Sequence, residues 1–170
     1  LVALIVALLV GLGFGVVNGI ACGVLRLTSF IFTLGTMLVA RGIAFSVSEG
    51  IAMRIPRDIR DFGRLDILGV PAIAVVALGS VIVFALLVGQ TTWGRHLYLL
   101  GSSDDAARYV GVRRRWLRLS VFAISGTLGG LAGYLALANL GVAIPGLGDT
   151  LLLTIIGGVI VGGTSLFGGE

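Results

Sequence analysis

The sequence predicts an all-α, polytopic transmembrane helical bundle with about five spans, and three observations lead to that fold class. Hydrophobic residues make up 57% of the 170 residues, and the mean hydropathy is +1.12. Charged residues make up only 12%, where a soluble globular domain carries about 25%. The apolar residues form runs of a length that crosses a bilayer as a helix, which takes about 20 residues. Lipid is therefore the expected solvent for most of the surface.

Five apolar runs give the predicted spans: Val2–Leu25, Phe30–Ser48, Ile67–Gly89, Leu119–Leu140 and Leu151–Phe167. The fifth run is short, and its glycines leave its end undefined. The chain starts at Leu1 rather than Met and stops just after a glycine-rich apolar run. We therefore expect residues 1–170 to be one transmembrane domain that is incomplete at both ends.

The arginines between the spans predict the orientation. All 12 basic residues are arginines; six lie in Gln90–Arg118 and four in Glu49–Asp66. Cytoplasmic loops carry the excess of basic residues, so Gln90–Arg118 is expected inside and Glu49–Asp66 outside. Arg26 then falls on the cytoplasmic side. This distribution reflects membrane topology, so we expect a lipid membrane and no nucleic acid as a partner.

Glycines in the first span recur at every fourth position, at Gly11, Gly15, Gly19 and Gly23. That spacing puts them on one helix face, where the missing side chains let another helix backbone approach closely. The alternative is the general tolerance of membrane helices for glycine. Four glycines in register favour a packing face.

Polar residues inside the apolar runs are candidates for the translocation pathway. Arg41 lies past the middle of the second span, where a charge costs roughly 2.5–3.5 kcal/mol on insertion scales. It either snorkels to the outer interface or faces a polar interior. Thr33, Met37 and Arg41 share one face by their four-residue spacing. Asn18 and Asn139 either bond a neighbouring helix or contact a substrate.

The polar segment near residue 102 has the pattern of a short capped helix. Ser102 is a favourable N-cap, and Asp105 follows three residues later as in a capping box. This helix either docks a cytoplasmic partner or lies on the membrane surface. Its candidate contact residues are Asp104, Asp105, Ala106, Ala107, Arg108 and Gly111.

Motifs of enzymes are missing from the sequence. There is no phosphate-binding loop ending in Lys-Ser or Lys-Thr, and the single histidine and single cysteine, His96 and Cys22, offer no metal-ligand spacing. We therefore expect no catalytic residue, metal or cofactor in this chain, and an energy source elsewhere.

Four segments, in order, resemble the permeases of sugar-type ABC importers (the ribose and xylose group). They are Asn18–Gly19, Ser29–Gly42, Thr92–Gly111 and Gly162–Gly169. The resemblance implies an inner-membrane permease that pairs with a second permease copy, a cytoplasmic ATPase that binds ATP and magnesium, and an extracytoplasmic sugar-binding protein. It also implies that Asp104–Gly111 touches the ATPase. Asn139 stands where the family often has an arginine, and Leu152 and Thr154 stand where it has acidic residues, which bears on substrate specificity.

Several functions remain open at this point. The cargo could be a pentose or hexose, or a nucleoside, an autoinducer or a branched-chain amino acid. An ion-coupled secondary transporter would need intramembrane carboxylates, and no predicted span contains one. A membrane scaffold without transport would not need Arg41.

Overall fold

Helices account for nearly all of the regular structure in a computed structural model that describes residues 1–67, 69–102 and 113–163. They are α1 Val2–Gly23, α2 Ser29–Ser48, α3 Arg57–Gly63, α4 Ala72–Gln90, α5 Thr92–Ser102, α6 Arg114–Leu140 and α7 Leu147–Val161. Four of them, α1, α2, α4 and α6, are long and apolar enough to cross a membrane, and α7 is a shorter apolar helix. The predicted all-α membrane bundle is confirmed.

Local sequence explains where several helices begin and end. α4 begins directly after Pro71, whose fixed φ suits the start of a helix. α6 ends at Gly141, which has φ 72° and donates its N–H to the Leu137 carbonyl oxygen at 2.9 Å. This left-handed cap is the conformation that glycine adopts without a steric cost. α7 begins after a second left-handed glycine, Gly146.

Two short antiparallel strand pairs organise one end of the bundle. β1 (Met53–Arg54) pairs with β4 (Val142–Ala143). β2 (Asp66–Ile67) and β3 (Val70–Pro71) form a hairpin between α3 and α4. The first pair ties the chain after α2 to the chain after α6. The end of α2 and the start of α7 therefore lie on the same side of the bundle.

The glycine face of α1 packs against α6 in antiparallel orientation. A Cβ atom on Gly11 would collide with the Gly126 carbonyl oxygen, and one on Gly15 would lie 3.0 Å from the Ala123 Cα. Further along α1, a Cβ on Gly19 would lie 3.0 Å from the Leu119 Cα. Helix backbones this close leave no room for a methyl group, which is the packing mode of small-residue faces.

The same face continues to the end of α1, where a Cβ on Gly23 would lie 3.2 Å from the Arg115 carbonyl oxygen. The neighbouring Cys22 is fully buried, as a small apolar residue. On α6 the opposing positions include Gly126 and Gly130, whose own missing side chains admit α1. α1 and α6 thus form the most closely packed pair in the described part of the bundle.

Helix α3 lies across the other end of α6. A Cβ on Gly63 would collide with the Ala138 carbonyl oxygen, and the Phe62 and Tyr134 rings lie 6.1 Å apart between centroids. Tyr134 and Ala138 are buried. The segment predicted as a plain external loop, Glu49–Asp66, therefore contains a helix that packs on the spans.

Several elements differ from the sequence prediction. The third span begins at Ala72 rather than Ile67, because Asp66–Ile67 and Val70–Pro71 form the β2–β3 hairpin. The fourth span begins at Arg114 rather than Leu119, because arginine is a good helix former and extends the helix beyond its apolar part. α5 was not predicted, and Ser102 is its last residue; the capped helix predicted to follow Ser102 lies outside the described residues. α7 begins at Leu147 rather than Leu151 because Gly146 starts it, so its first turn includes Asp149.

Candidate functional site

Arg41 belongs to α2 and stands well inside it. It precedes the C-cap residue Glu49 by eight positions, or about 12 Å along the helix axis. Its side chain forms an ion pair with α7: the Arg41 Nη2 and Asp149 Oδ2 atoms are 2.9 Å apart. The side chains keep 46% and 34% of their surface exposed, so the pair borders an open space.

The start of α7 places the carboxylate of this pair. Asp149 is the third residue of α7, and its N–H donates to the Gly146 carbonyl oxygen at 3.0 Å. A carboxylate in the first helical turn is stabilised by the positive end of the helix dipole. A Cβ on Gly146 would lie 3.3 Å from the Asp149 Oδ2 atom, so glycine also leaves room for the carboxylate.

An aromatic ring completes the site. The Arg41 guanidinium carbon lies 5.6 Å from the centroid of the Phe45 ring, one helical turn further along α2. This distance is within the range of cation–π attraction. The guanidinium is therefore held by both the Phe45 ring and the Asp149 carboxylate, which fixes its orientation between α2 and α7.

A neutral hydrogen bond joins α1 and α2. The Thr36 hydroxyl donates to the Asn18 Oδ1 atom at 2.8 Å. Thr33, which was predicted to share a functional face with Arg41, instead donates to carbonyl oxygens of its own helix at Ser29 and Phe30. Asn18 thus has the interhelical role that was one of its two predicted roles.

Among the described residues, no other predicted residue forms an ion pair or hydrogen bond with Arg41. Asn139 is exposed near the end of α6, and its side chain bonds no other described residue. The predicted coupling residues Asp104, Asp105, Ala106, Ala107, Arg108 and Gly111 lie outside the described residues. The four predicted packing glycines all lie against α6.

Helix α5 precedes that coupling segment and is anchored to both neighbouring spans. The Trp93 indole N–H donates to the Ser120 hydroxyl on α6 at 2.8 Å. Its ring also meets Phe84 of α4 edge-on, with 6.5 Å between centroids. These contacts fix the start of α5 relative to α4 and α6.

Sequence reasoning missed Asp149, Phe45 and Thr36. Asp149 was placed in a break between two spans, so it was not counted as a carboxylate within a helix. A signal was present, because Asp149 is the sole acidic residue between Leu119 and Gly169. An isolated acid level with an isolated arginine in a neighbouring span is the pattern of an intramembrane ion pair.

The chemistry that this site offers is recognition rather than reaction. A guanidinium supplies up to five donors and a carboxylate only acceptors. No group of three metal-binding side chains occurs within the described ranges. A polar pair that is bordered by an aromatic ring and open space can bind or guide a neutral polar molecule through an otherwise apolar bundle.

Comparisons with known proteins agree with this picture of a membrane bundle. A family model described as "Branched-chain amino acid transport system / permease component" matches residues 1–169. The D-allose transport system permease protein AlsC of Escherichia coli (strain K12) is 34% identical over 100% of this chain and 52% of its own length. The fructose import permease protein FruF of Bifidobacterium longum (strain NCC 2705) is 36% identical over 99% of this chain and 49% of its own length.

A third relative, the autoinducer 2 import system permease protein LsrC of Yersinia enterocolitica, is 31% identical over 96% of this chain and 46% of its own length. The chain spans about half the length of these curated relatives. No solved structure matches it. The family match over nearly every residue, together with the membrane-spanning helices, places this multi-pass membrane chain in the branched-chain amino acid transport system permease family.

Proposed function

We propose that this chain is part of the membrane-spanning permease subunit of an ATP-driven importer for a pentose or hexose sugar. The observation that carries the proposal is similarity over essentially the whole chain to permeases named for D-allose, fructose and L-arabinose. The Arg41–Asp149 pair supports it, because a sugar is neutral and rich in hydroxyls that can exchange hydrogen bonds with such a pair.

The proposed partners are those of a binding-protein-dependent importer in the inner membrane. They are a second permease copy, a cytoplasmic ATPase that holds ATP and magnesium, and an extracytoplasmic sugar-binding protein. In this proposal Ser103–Val110 contacts the ATPase, and the anchored α5 connects that contact to α4 and α6. No covalent chemistry takes place in this chain, so its role is to shift between outward-open and inward-open arrangements.

The orientation follows from the arginines and can be tested directly. We place the end that holds Gln90–Arg118 in the cytoplasm and the end that holds Glu49–Asp66 outside. A cysteine at position 103 in a Cys22→Ser background should resist an impermeant thiol reagent added to intact cells and react after the cells are opened. Labelling of position 103 in intact cells would reverse the orientation.

The energy source separates this proposal from an ion-coupled transporter. The full-length permease, its ATPase and its binding protein are reconstituted in proteoliposomes, and uptake of labelled sugar is measured. We expect uptake only with ATP on the side of the ATPase. Uptake that follows a sodium or proton gradient without ATP would contradict the proposal and favour a secondary transporter, for which Asp149 would be the candidate ion-coupling carboxylate.

A second cargo class is favoured by two of the comparisons. The family description refers to branched-chain amino acids, and the LsrC relatives are named for autoinducer 2. An amino acid carries both charges of a zwitterion and would compete with the Arg41–Asp149 pair by ion pairing. A nucleoside is a further alternative with the same architecture. Substrate binding to the purified binding protein distinguishes these cargoes.

A further inference from the structure

In the part of the chain that the structure describes, the acidic residues lie at one end of the bundle together with five arginines, whereas the opposite end has arginines alone. All five acidic residues within the described ranges lie at the end of α2, on α3, in the β2 strand or at the start of α7: Glu49, Asp58, Asp61, Asp66 and Asp149. The opposite end is formed by the C-terminus of α1, the helix α5 and the N-terminus of α6. The described part of that end contains six arginines and no acidic residue.

Five arginines at that opposite end are exposed, and we call them the basic end: Arg26, Arg95, Arg113, Arg115 and Arg118. None of the five forms an ion pair with a residue that the structure describes. The end of α1 lies close to two of them: a Cβ on Gly23 would lie 3.2 Å from the Arg115 carbonyl oxygen and 3.3 Å from the Arg118 Cβ. Arg26 lies three residues beyond Gly23, just after α1 ends, so it is near this contact between α1 and α6.

The length of α6 places part of this surface at the depth of lipid headgroups. Its 27 residues span about 40 Å, whereas the hydrocarbon core of a bilayer is about 30 Å thick. The excess is about seven residues. Because every charged residue of α6 lies between Arg114 and Arg118, the excess falls on the first turns of the helix, Arg114–Ser120. Arg115 and Arg118 therefore lie beside the membrane surface rather than far into the cytoplasm.

Exposed aromatic side chains accompany these arginines. Trp116 of α6 is 66% exposed and Tyr98 of α5 is 71% exposed. Tryptophan and tyrosine concentrate at the membrane interface, where an apolar ring and a polar edge are both satisfied. Their presence between the arginines indicates a surface that contacts lipid headgroups and the outer part of the acyl chains.

We propose that the basic end binds the phosphate groups of anionic phospholipids, such as phosphatidylglycerol, in preference to zwitterionic lipids. Guanidinium groups match phosphate oxygens with two parallel hydrogen bonds, which gives arginine a geometric advantage in such a site. A cytoplasmic protein partner is the rival occupant. The headgroup depth of α6 and the exposed aromatic rings favour lipid, and the inference does not depend on the cargo.

The test uses the fluorescence of Trp116 in the full-length chain, with every other tryptophan replaced by phenylalanine. The protein is reconstituted in vesicles of phosphatidylcholine with increasing fractions of phosphatidylglycerol. One of the two lipids is brominated in each series, so quenching reports which lipid occupies the site next to Trp116. The ratio of quenching by the two lipids gives their relative association constant.

We expect brominated phosphatidylglycerol to be favoured several-fold. Arg115→Gln should lower the preference by about fivefold, since one arginine near an anionic surface contributes about 1 kcal/mol. High salt should lower it as well. Arg54→Gln, at the opposite end, is the matched control and should leave the ratio unchanged.

Equal quenching by the two lipids would overturn the proposal, as would a preference that Arg115→Gln and salt leave intact. If quenching is equal and Arg115→Gln instead weakens copurification of the ATPase subunit, the basic end is a protein-docking surface and the lipid proposal is wrong. Normal quenching by brominated phosphatidylcholine in the Arg115→Gln protein shows that the variant is folded and inserted.

Discussion

The Arg41–Asp149 pair joins two helices that otherwise have little contact, so its removal should be measurable in both stability and transport. α2 and α7 contain no buried residue among those described, and the ion pair is a direct link between them. We expect Arg41→Ala and Asp149→Ala each to destabilise the bundle, and the double variant to be only slightly worse than either one. The reason is that each single change removes the same interaction.

The magnitude follows from the distance and the exposure of the pair. Two unit charges 2.9 Å apart attract by about 6 kcal/mol at an effective dielectric constant near 20, and by about 1.4 kcal/mol in bulk water. Desolvation of the two ions and loss of side-chain freedom offset most of the larger figure. With roughly a third to a half of each side chain exposed, we expect a coupling energy of about 1–2 kcal/mol.

The coupling energy is measured in a double-mutant cycle on the full-length chain in detergent micelles, from unfolding titrations with sodium dodecyl sulfate. A control cycle combines Arg41→Ala with Asp58→Ala. Asp58 is an acidic residue of α3 that forms no ion pair with a described arginine. The control cycle should show no coupling. Additive effects of Arg41→Ala and Asp149→Ala, within about 0.3 kcal/mol, would refute the ion pair as a link between α2 and α7.

Three further predictions test other parts of the structure. Gly15→Leu should lower the free energy of unfolding by about 1–3 kcal/mol in the same titration, because it overpacks the contact with α6. The control Gly13→Leu, where the added side chain meets open space, should change that free energy by less than about 0.5 kcal/mol. Equal effects of the two variants would contradict the assigned packing face. Thr36→Val should lower the free energy of unfolding by about 0.6–1.5 kcal/mol because it removes the hydrogen bond between α1 and α2. Thr33→Val should lower it less, because the Thr33 hydroxyl bonds within its own helix. A larger loss for Thr33→Val than for Thr36→Val would be inconsistent with the hydrogen bond to Asn18. Ala107→Trp should lower sugar uptake and sugar-stimulated ATP hydrolysis in the assembled complex, while the binding protein still binds sugar. Wild-type rates in an intact complex would show that another segment couples the permease to the ATPase.

The spans and their packing face could be predicted from sequence because both depend on local patterns. Apolar run length determines which segments can cross a bilayer, and a four-residue repeat of glycine defines one face of a helix. The repeat from Gly11 to Gly23 does not identify the helix that fills the face. That identity depends on tertiary structure, and the structure assigns it to α6.

The partner of Arg41 was missed because of the turn before α7. The segment Gly141–Thr150 contains glycines and a proline and was interpreted as a break between spans. Gly146 adopts a left-handed conformation that starts α7 early, and this turns Asp149 from a loop residue into a helical one. The β1–β4 pair then brings it to the end of α2. Pairing between segments so distant in sequence has no signature in local pattern.

The boundary of α5 shows a second limit. Ser102, Asp104 and Asp105 have the composition of a helix start, yet Ser102 closes a helix that begins at Thr92. The hydrogen bond from Trp93 to Ser120 and the contact with Phe84 stabilise that earlier start. Tertiary contacts of one aromatic residue thus stabilise a helix that the local sequence pattern did not predict.

The central claim, that this chain is part of an ATP-driven sugar permease, is tested most directly by ATP hydrolysis in the assembled complex. The full-length permease and its ATPase are reconstituted in vesicles, and the binding protein is added after loading with one candidate substrate at a time: pentoses, hexoses, a nucleoside, autoinducer 2 and branched-chain amino acids. We expect a pentose- or hexose-loaded binding protein to stimulate hydrolysis and sugar uptake together, and leucine and isoleucine to stimulate neither. Stimulation by a branched-chain amino acid with none by any sugar would contradict it.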